Sequence, residues 1–164
     1  MAGVRKSLLL VLGLVVGCGK SAPAPGKAVA IENVCNEEDG ARVRLTGHLR
    51  YPRGLMSFCS TIGGKQTCDL SLYVGPEKPA DFNVMRPRTG PEPLHARLSV
   101  PVGDAPGEMA DLPKKFSASD VVLHLTDKGK ASDGTRVTID GKLSVIPGGT
   151  PKSCFVNVEW ASPG

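Results

Sequence analysis

Along most of this chain, apolar and polar residues alternate in short runs broken by glycine and proline. From Arg42 to Arg50, Val43, Leu45, Gly47 and Leu49 fall on one side, while Arg42, Arg44, Thr46, His48 and Arg50 fall on the other. That period of two is the mark of a half-buried strand. Cys68 to Val74 follows it through Leu70, Leu72 and Val74, and Leu94 to Val102 through Ala96, Leu98 and Val100. Arg136 to Ile146 alternates through Val137, Ile139, Gly141, Leu143 and Val145. Val121 to Thr126 is apolar on nearly both faces, which predicts a central strand, and Cys154 to Trp160 predicts the last one. No segment carries a long helical period. The best short helix lies within Pro106 to Phe116, where Pro113 limits it. Residues 75–93 hold five prolines and no period, so a long irregular loop is expected there.

One pattern occurs twice. Asp39-Gly40-Ala41-Arg42-Val43-Arg44-Leu45-Thr46-Gly47-His48-Leu49 is echoed by Asp133-Gly134-Thr135-Arg136-Val137-Thr138-Ile139-Asp140-Gly141-Lys142-Leu143. A duplicated half is one reading. The favoured one is recurrent physics: an Asp-Gly turn enters a strand that bends at a mid-strand glycine. Six strands, two of them long and bent at glycine, with a short helical turn before Val121, resemble an oligonucleotide/oligosaccharide-binding (OB) barrel. The resemblance implies an all-β fold, a small five- to six-stranded OB-like barrel, with a β-sandwich as the alternative.

The N-terminus is of a different kind. Arg5-Lys6 precedes an apolar run from Leu8 to Val16, then Gly17 and Cys18. A helix needs about 20 apolar residues to span a bilayer, so this run reads as a secretory signal. Val15-Val16-Gly17-Cys18 resembles the lipobox of bacterial lipoproteins. That resemblance implies cleavage before Cys18, acylation of its thiol and new amino group, and a lipid bilayer as partner. The alternative is an ordinary signal peptide cut near Ala22 or Ala24. The expected organisation is therefore a signal peptide at 1–17, a lipidated Pro/Ala/Gly-rich tether at 18–28, and a β-rich periplasmic domain at 29–164. Gly19 is not an aspartate, which favours the outer membrane over the inner. Gly19-Lys20-Ser21 looks like the end of a phosphate-binding loop, but Leu14 stands where its first glycine belongs and no strand precedes it.

Charge and cysteines sharpen the picture. The formal charge is +4, and removal of Arg5 and Lys6 with the signal leaves +2. Four Phe, two Tyr and one Trp give little for stacking bases, so nucleic acid is not expected as a partner. Beyond Cys18, the cysteines number four, an even set that in an exported chain favours two disulfides. A hairpin turning at Gly63-Gly64 sets Cys59 opposite Cys68, which leaves Cys35 for Cys154. No C-x-x-C pair points to zinc, and His48, His95 and His124 are too scattered to share a metal, so none is expected. Ser119, His124 and Asp127 lack the G-x-S-x-G elbow of a hydrolase, so no catalytic residue and no cofactor are assigned.

The expected function is a membrane-tethered envelope lipoprotein, a non-enzymatic binding or structural module for another envelope component. The alternative is a binder of an anionic ligand through Arg42, Arg44, His48 and Arg50, whose side chains share one strand face.

Overall fold

The computed structural model describes residues 21–51, 59–73, 95–113, 116–148 and 152–164. Its strands are β1 (Lys27–Ala28), β2 (Arg42–Arg50), β3 (Cys59–Ile62), β4 (Lys65–Tyr73), β5 (His95–Pro101), β6 (Leu123–His124), β7 (Lys130–Ala131), β8 (Arg136–Ile146) and β9 (Ser153–Pro163). Five of them close on themselves: β2 pairs with β4, β4 with β5, β5 with β9, β9 with β8, and β8 returns to β2. The β5–β9 pairing is parallel and the others are antiparallel. Three meandering strands, a crossing segment with a short 3-10 turn, and two further strands make an OB-like all-β barrel.

The alternation seen in the sequence is what fills this barrel. Val43, Leu45 and Leu49 of β2 point inward with Leu98 and Val100 of β5, Val137, Ile139 and Leu143 of β8, and Val156 of β9. Each such side chain contributes roughly 1.5–3 kcal/mol by leaving water. Two plugs close the ends. At the end where β2 and β9 begin, a 3-10 turn over Ile31–Asn36 inserts Ile31 and Val34. At the other, the segment between β5 and β8 buries Met109, Val121, Leu123, Leu125 and Ala131.

The crossing segment departs from two expectations. Val121 to Thr126 is not a central strand: only Leu123–His124 pairs, with Lys130–Ala131, in a separate two-stranded sheet. Its two-faced apolar character comes from plugging the barrel end. No helix forms among the described residues of 106–116; a turn at Gly107 brings Met109 into bridges with Val102 and Leu123. The loop expected at 75–93 lies outside the described residues.

The repeated Asp-Gly pattern has a structural cause. β2 and β8 pair so that Leu45 faces Ile139, its own counterpart in the echo, and a local two-fold relates the copies. The Leu143 N–H donates to the Ala41 carbonyl and the Leu49 N–H to that of Thr135 (2.9 and 2.8 Å). Asp39 accepts from the Val145 N–H (2.8 Å), and Asp133 from the Tyr51 N–H (3.2 Å). Each Asp-Gly turn thus ties down the far end of the opposite strand. Gly40 and Gly134 hold φ of +78° and +88°, a region costly for any residue with a Cβ.

The N-terminal boundary also moves. The tether was expected to run through residue 28, but Lys27 and Ala28 lie parallel to Val43 and Arg44, and the Val29 N–H donates to the Arg44 carbonyl at 3.0 Å. Gly26 fits because it has no side chain: a Cβ there would sit 2.5 Å from the Val43 carbonyl carbon. Of the described tether, residues 21–26 lie outside any strand, and Gly26 is already held against β2.

Candidate functional site

The polar face of β2 is the site that the sequence singles out, and the structure neutralises most of it. Arg42 Nη2 lies 2.8 Å from Glu159 Oε2, supplied by the β9 bulge opposite Asp140 and Gly141. Arg44 grips Asp140 through Nε (3.0 and 3.1 Å) and Nη2 (2.7 Å). Arg50 is not on the solvated face at all: it is 8% exposed, with Nη1 2.9 Å from Asp133 Oδ2. His48 Nδ1 is buried without a hydrogen-bond partner among the described residues. The expected row of free cations is therefore a set of internal ion pairs. Their physical cause is the antiparallel register, which sets Asp133 of the turn before β8, Asp140 of β8 and Glu159 of β9 beside the arginines of β2.

Asp140 is the node of this face. It is 3% exposed, and besides Arg44 it accepts the Gly26 N–H at 2.8 Å. The side-chain hydrogen bond to Asp140 raises the Arg44 pKa above its ordinary value. Arg44 itself is 41% exposed, so water screens part of the pair. Asp140→Asn is expected to cost about 2 kcal/mol by leaving Arg44 without its anion, read as a lowered urea midpoint. Arg44→Met added to it should recover part of that loss, since no charge is then stranded.

The remaining candidates do not converge on chemistry. Ser119 Oγ bonds Ser117 Oγ (2.7 Å), Asp127 accepts the Gly129 N–H (2.8 Å), and His124 Nε2 lies 3.8 Å from Asp104, so no triad is assembled. Ser117 and Asp120 form a capping box, whose backbone and hydroxyl hydrogen bonds hold the Asp120 carboxyl below its ordinary pKa. Burial pushes the Tyr51 phenol up, where its ring meets Phe116 edge-on at 6.4 Å. No group of three His, Cys, Asp or Glu side chains that could hold a metal occurs among the described residues. Cysteine pairing is explicit: Cys35 is bonded to Cys154, and Cys59 to its register partner Cys68. Cys18 lies outside the described residues.

Sequence reasoning missed Asp133, Asp140 and Glu159 as the arginines' partners, and Gly26 as part of the fold. The echo held the signal for two of them. Asp133 opens the second copy, and Asp140 stands in it where Thr46 stands in the first.

No family model matches the chain, and no curated protein does. A solved structure with some likeness is the dimeric N-terminal domain of PriB protein from Thermoanaerobacter tencongensis. It is 16% identical, with 74% of this chain and 92% of that one covered, at a TM-score of 0.38. The OB-like fold corrects one expectation: such barrels as a class seat oligonucleotides as well as oligosaccharides, so the exclusion of nucleic acid drawn from the sequence does not stand. Scarce aromatics limit base stacking; they do not limit contacts to a phosphate backbone, which carry much of such binding. The exclusion is withdrawn, and no nucleic-acid site is assigned in its place.

Proposed function

We propose that this chain is a lipid-anchored protein of the bacterial envelope, and that its OB-like barrel is a non-enzymatic binding or structural module held at the membrane surface. The observation that carries this reading is the order Arg5-Lys6, a short apolar run, and Val15-Val16-Gly17-Cys18. A basic pair and an apolar stretch too short to span a bilayer direct export, and a cysteine at the cleavage point supplies the acyl acceptor. More than one acyl chain gives stable anchoring, at about 0.8 kcal/mol per buried methylene. Two disulfides fit an oxidising compartment. The anion-binding alternative has less support, because three of its four residues already hold carboxylates.

Cys18→Ser tests the reading by fractionation. The parent chain is expected in the membrane pellet, released only by detergent, and the variant in the soluble fraction or uncleaved. A variant that is cut to the parent's mature size and still pellets and extracts like the parent overturns the proposal.

A further inference from the structure

We infer that the docked segment Gly26–Val29 turns the barrel toward the bilayer with one particular end, the end where β8 finishes and β9 begins. This rests on the lipid-anchored reading and adds an orientation to it. β1 runs parallel to β2, so the chain before Gly26 leaves the barrel where β2 begins. That is also where β8 ends, where β9 starts with Ile146 opposite Ser153, and where Cys35 is bonded to Cys154.

Several contacts hold the exit point. The Gly26 N–H donates to Asp140 (2.8 Å), the Val29 N–H to the Arg44 carbonyl (3.0 Å), and Lys27 Nζ meets both Glu37 carboxylate oxygens at 2.9 Å. The Lys27–Glu37 pair is exposed and adds little; the backbone contacts and the fit of Gly26 against Val43 do the holding.

Length then sets the geometry. Eight residue steps separate Cys18 from Gly26, which reach at most about 27 Å when fully extended. β9 spans Ser153–Pro163; at about 3.3 Å per residue and a tilt near 40°, it rises about 25 Å along the barrel axis. The tether is thus about as long as the barrel is tall, and it leaves from one end of it. Contact of the opposite end with lipid would need the tether drawn taut along the whole barrel wall. The near end also carries Ile146, 42% exposed, while Phe116, the other exposed large apolar residue among those described, rests on Tyr51 where β2 finishes. The occupant of the near end is the lipid surface, and the plug that buries Met109, Val121, Leu123 and Leu125 faces away, toward any partner.

The test uses the chain from Cys18 onward, its other cysteines disulfide-bonded, with a maleimide lipid coupled to the Cys18 thiol. Incorporated in phosphatidylcholine nanodiscs doped with a gadolinium-chelating lipid, amides at 144–148 and 152–156 are expected to relax at least twofold more strongly than amides at 104–110 and 123–131. Insertion of ten Gly/Ser residues between Pro25 and Gly26, which leaves every docking contact intact, should abolish that difference. A flat or inverted profile in the parent overturns the orientation, and so does a gradient that survives the insertion. Because the lipid is attached chemically, this outcome is independent of whether the cell acylates Cys18.

Discussion

Replacement of both Cys35 and Cys154 by alanine is expected to remove about 5 kcal/mol of stability. The bond joins residues 119 apart, so it closes most of the domain into one loop and strips a large conformational entropy from the unfolded chain. It also fastens the 3-10 turn whose Ile31 and Val34 plug the barrel end. Domains of this size are stable by only about 5–15 kcal/mol, so the variant should sit near its folding threshold. Cys59–Cys68 closes a loop of only 9 residues, and its removal should cost about 2.5 kcal/mol. Urea unfolding of the two double variants decides it: the Cys35/Cys154 pair is expected to show the lower midpoint. The reverse order would mean that the hairpin, not the plug, is the element that stabilises the barrel.

The second large effect is Gly141→Ala, expected to destabilise by about 3 kcal/mol, the upper part of the range for overpacking. Gly141 lies at the bulge where the β8–β9 register slips, and a Cβ would fall 2.2 Å from the Asn157 carbonyl oxygen and 2.8 Å from Val156 Cγ1. A backbone oxygen cannot swing aside as a side chain can, so the bulge itself must move. Gly148 is the matched control. Its φ is +87° with nothing within 4 Å of a Cβ, so alanine there meets only backbone strain, about 1 kcal/mol. Thermal unfolding should rank Gly141→Ala well below Gly148→Ala; equal melting temperatures would show that the bulge yields without cost.

Much of the barrel could be read from period-two alternation, because each barrel strand has one face in a common core. β2 and β8 matched their predicted limits, and their buried apolar side chains, Val43, Leu45 and Leu49 and Val137, Ile139 and Leu143, are expected ones, while Arg50 and Asp140 are buried from the polar face. Val121–Thr126 misled because an apolar run looks the same whether it lies inside a sheet or across a barrel end. The six-residue turn at Ile31–Asn36 gave no helical period, being a 3-10 turn with two inward residues. The arginine face shows a further limit. Alternation told which residues share a side of β2, yet whether they are free depended on Asp133, Asp140 and Glu159, which lie 83, 96 and 117 residues further along the chain from Arg50, Arg44 and Arg42. Only the strand pairing brings them together. Gly26 likewise looked like tether because glycine between proline and lysine suits a linker, while its role here is to let two backbones touch.

Whether the Cys18 sulfur is acylated decides whether the barrel is held at a membrane. Intact-mass spectrometry of the protein extracted from its native membrane reads this directly. The expected species begins at Cys18 and carries the added mass of its acyl chains. A mass equal to residues 1–164 without lipid, or to a chain starting after Ala22 or Ala24, would contradict it.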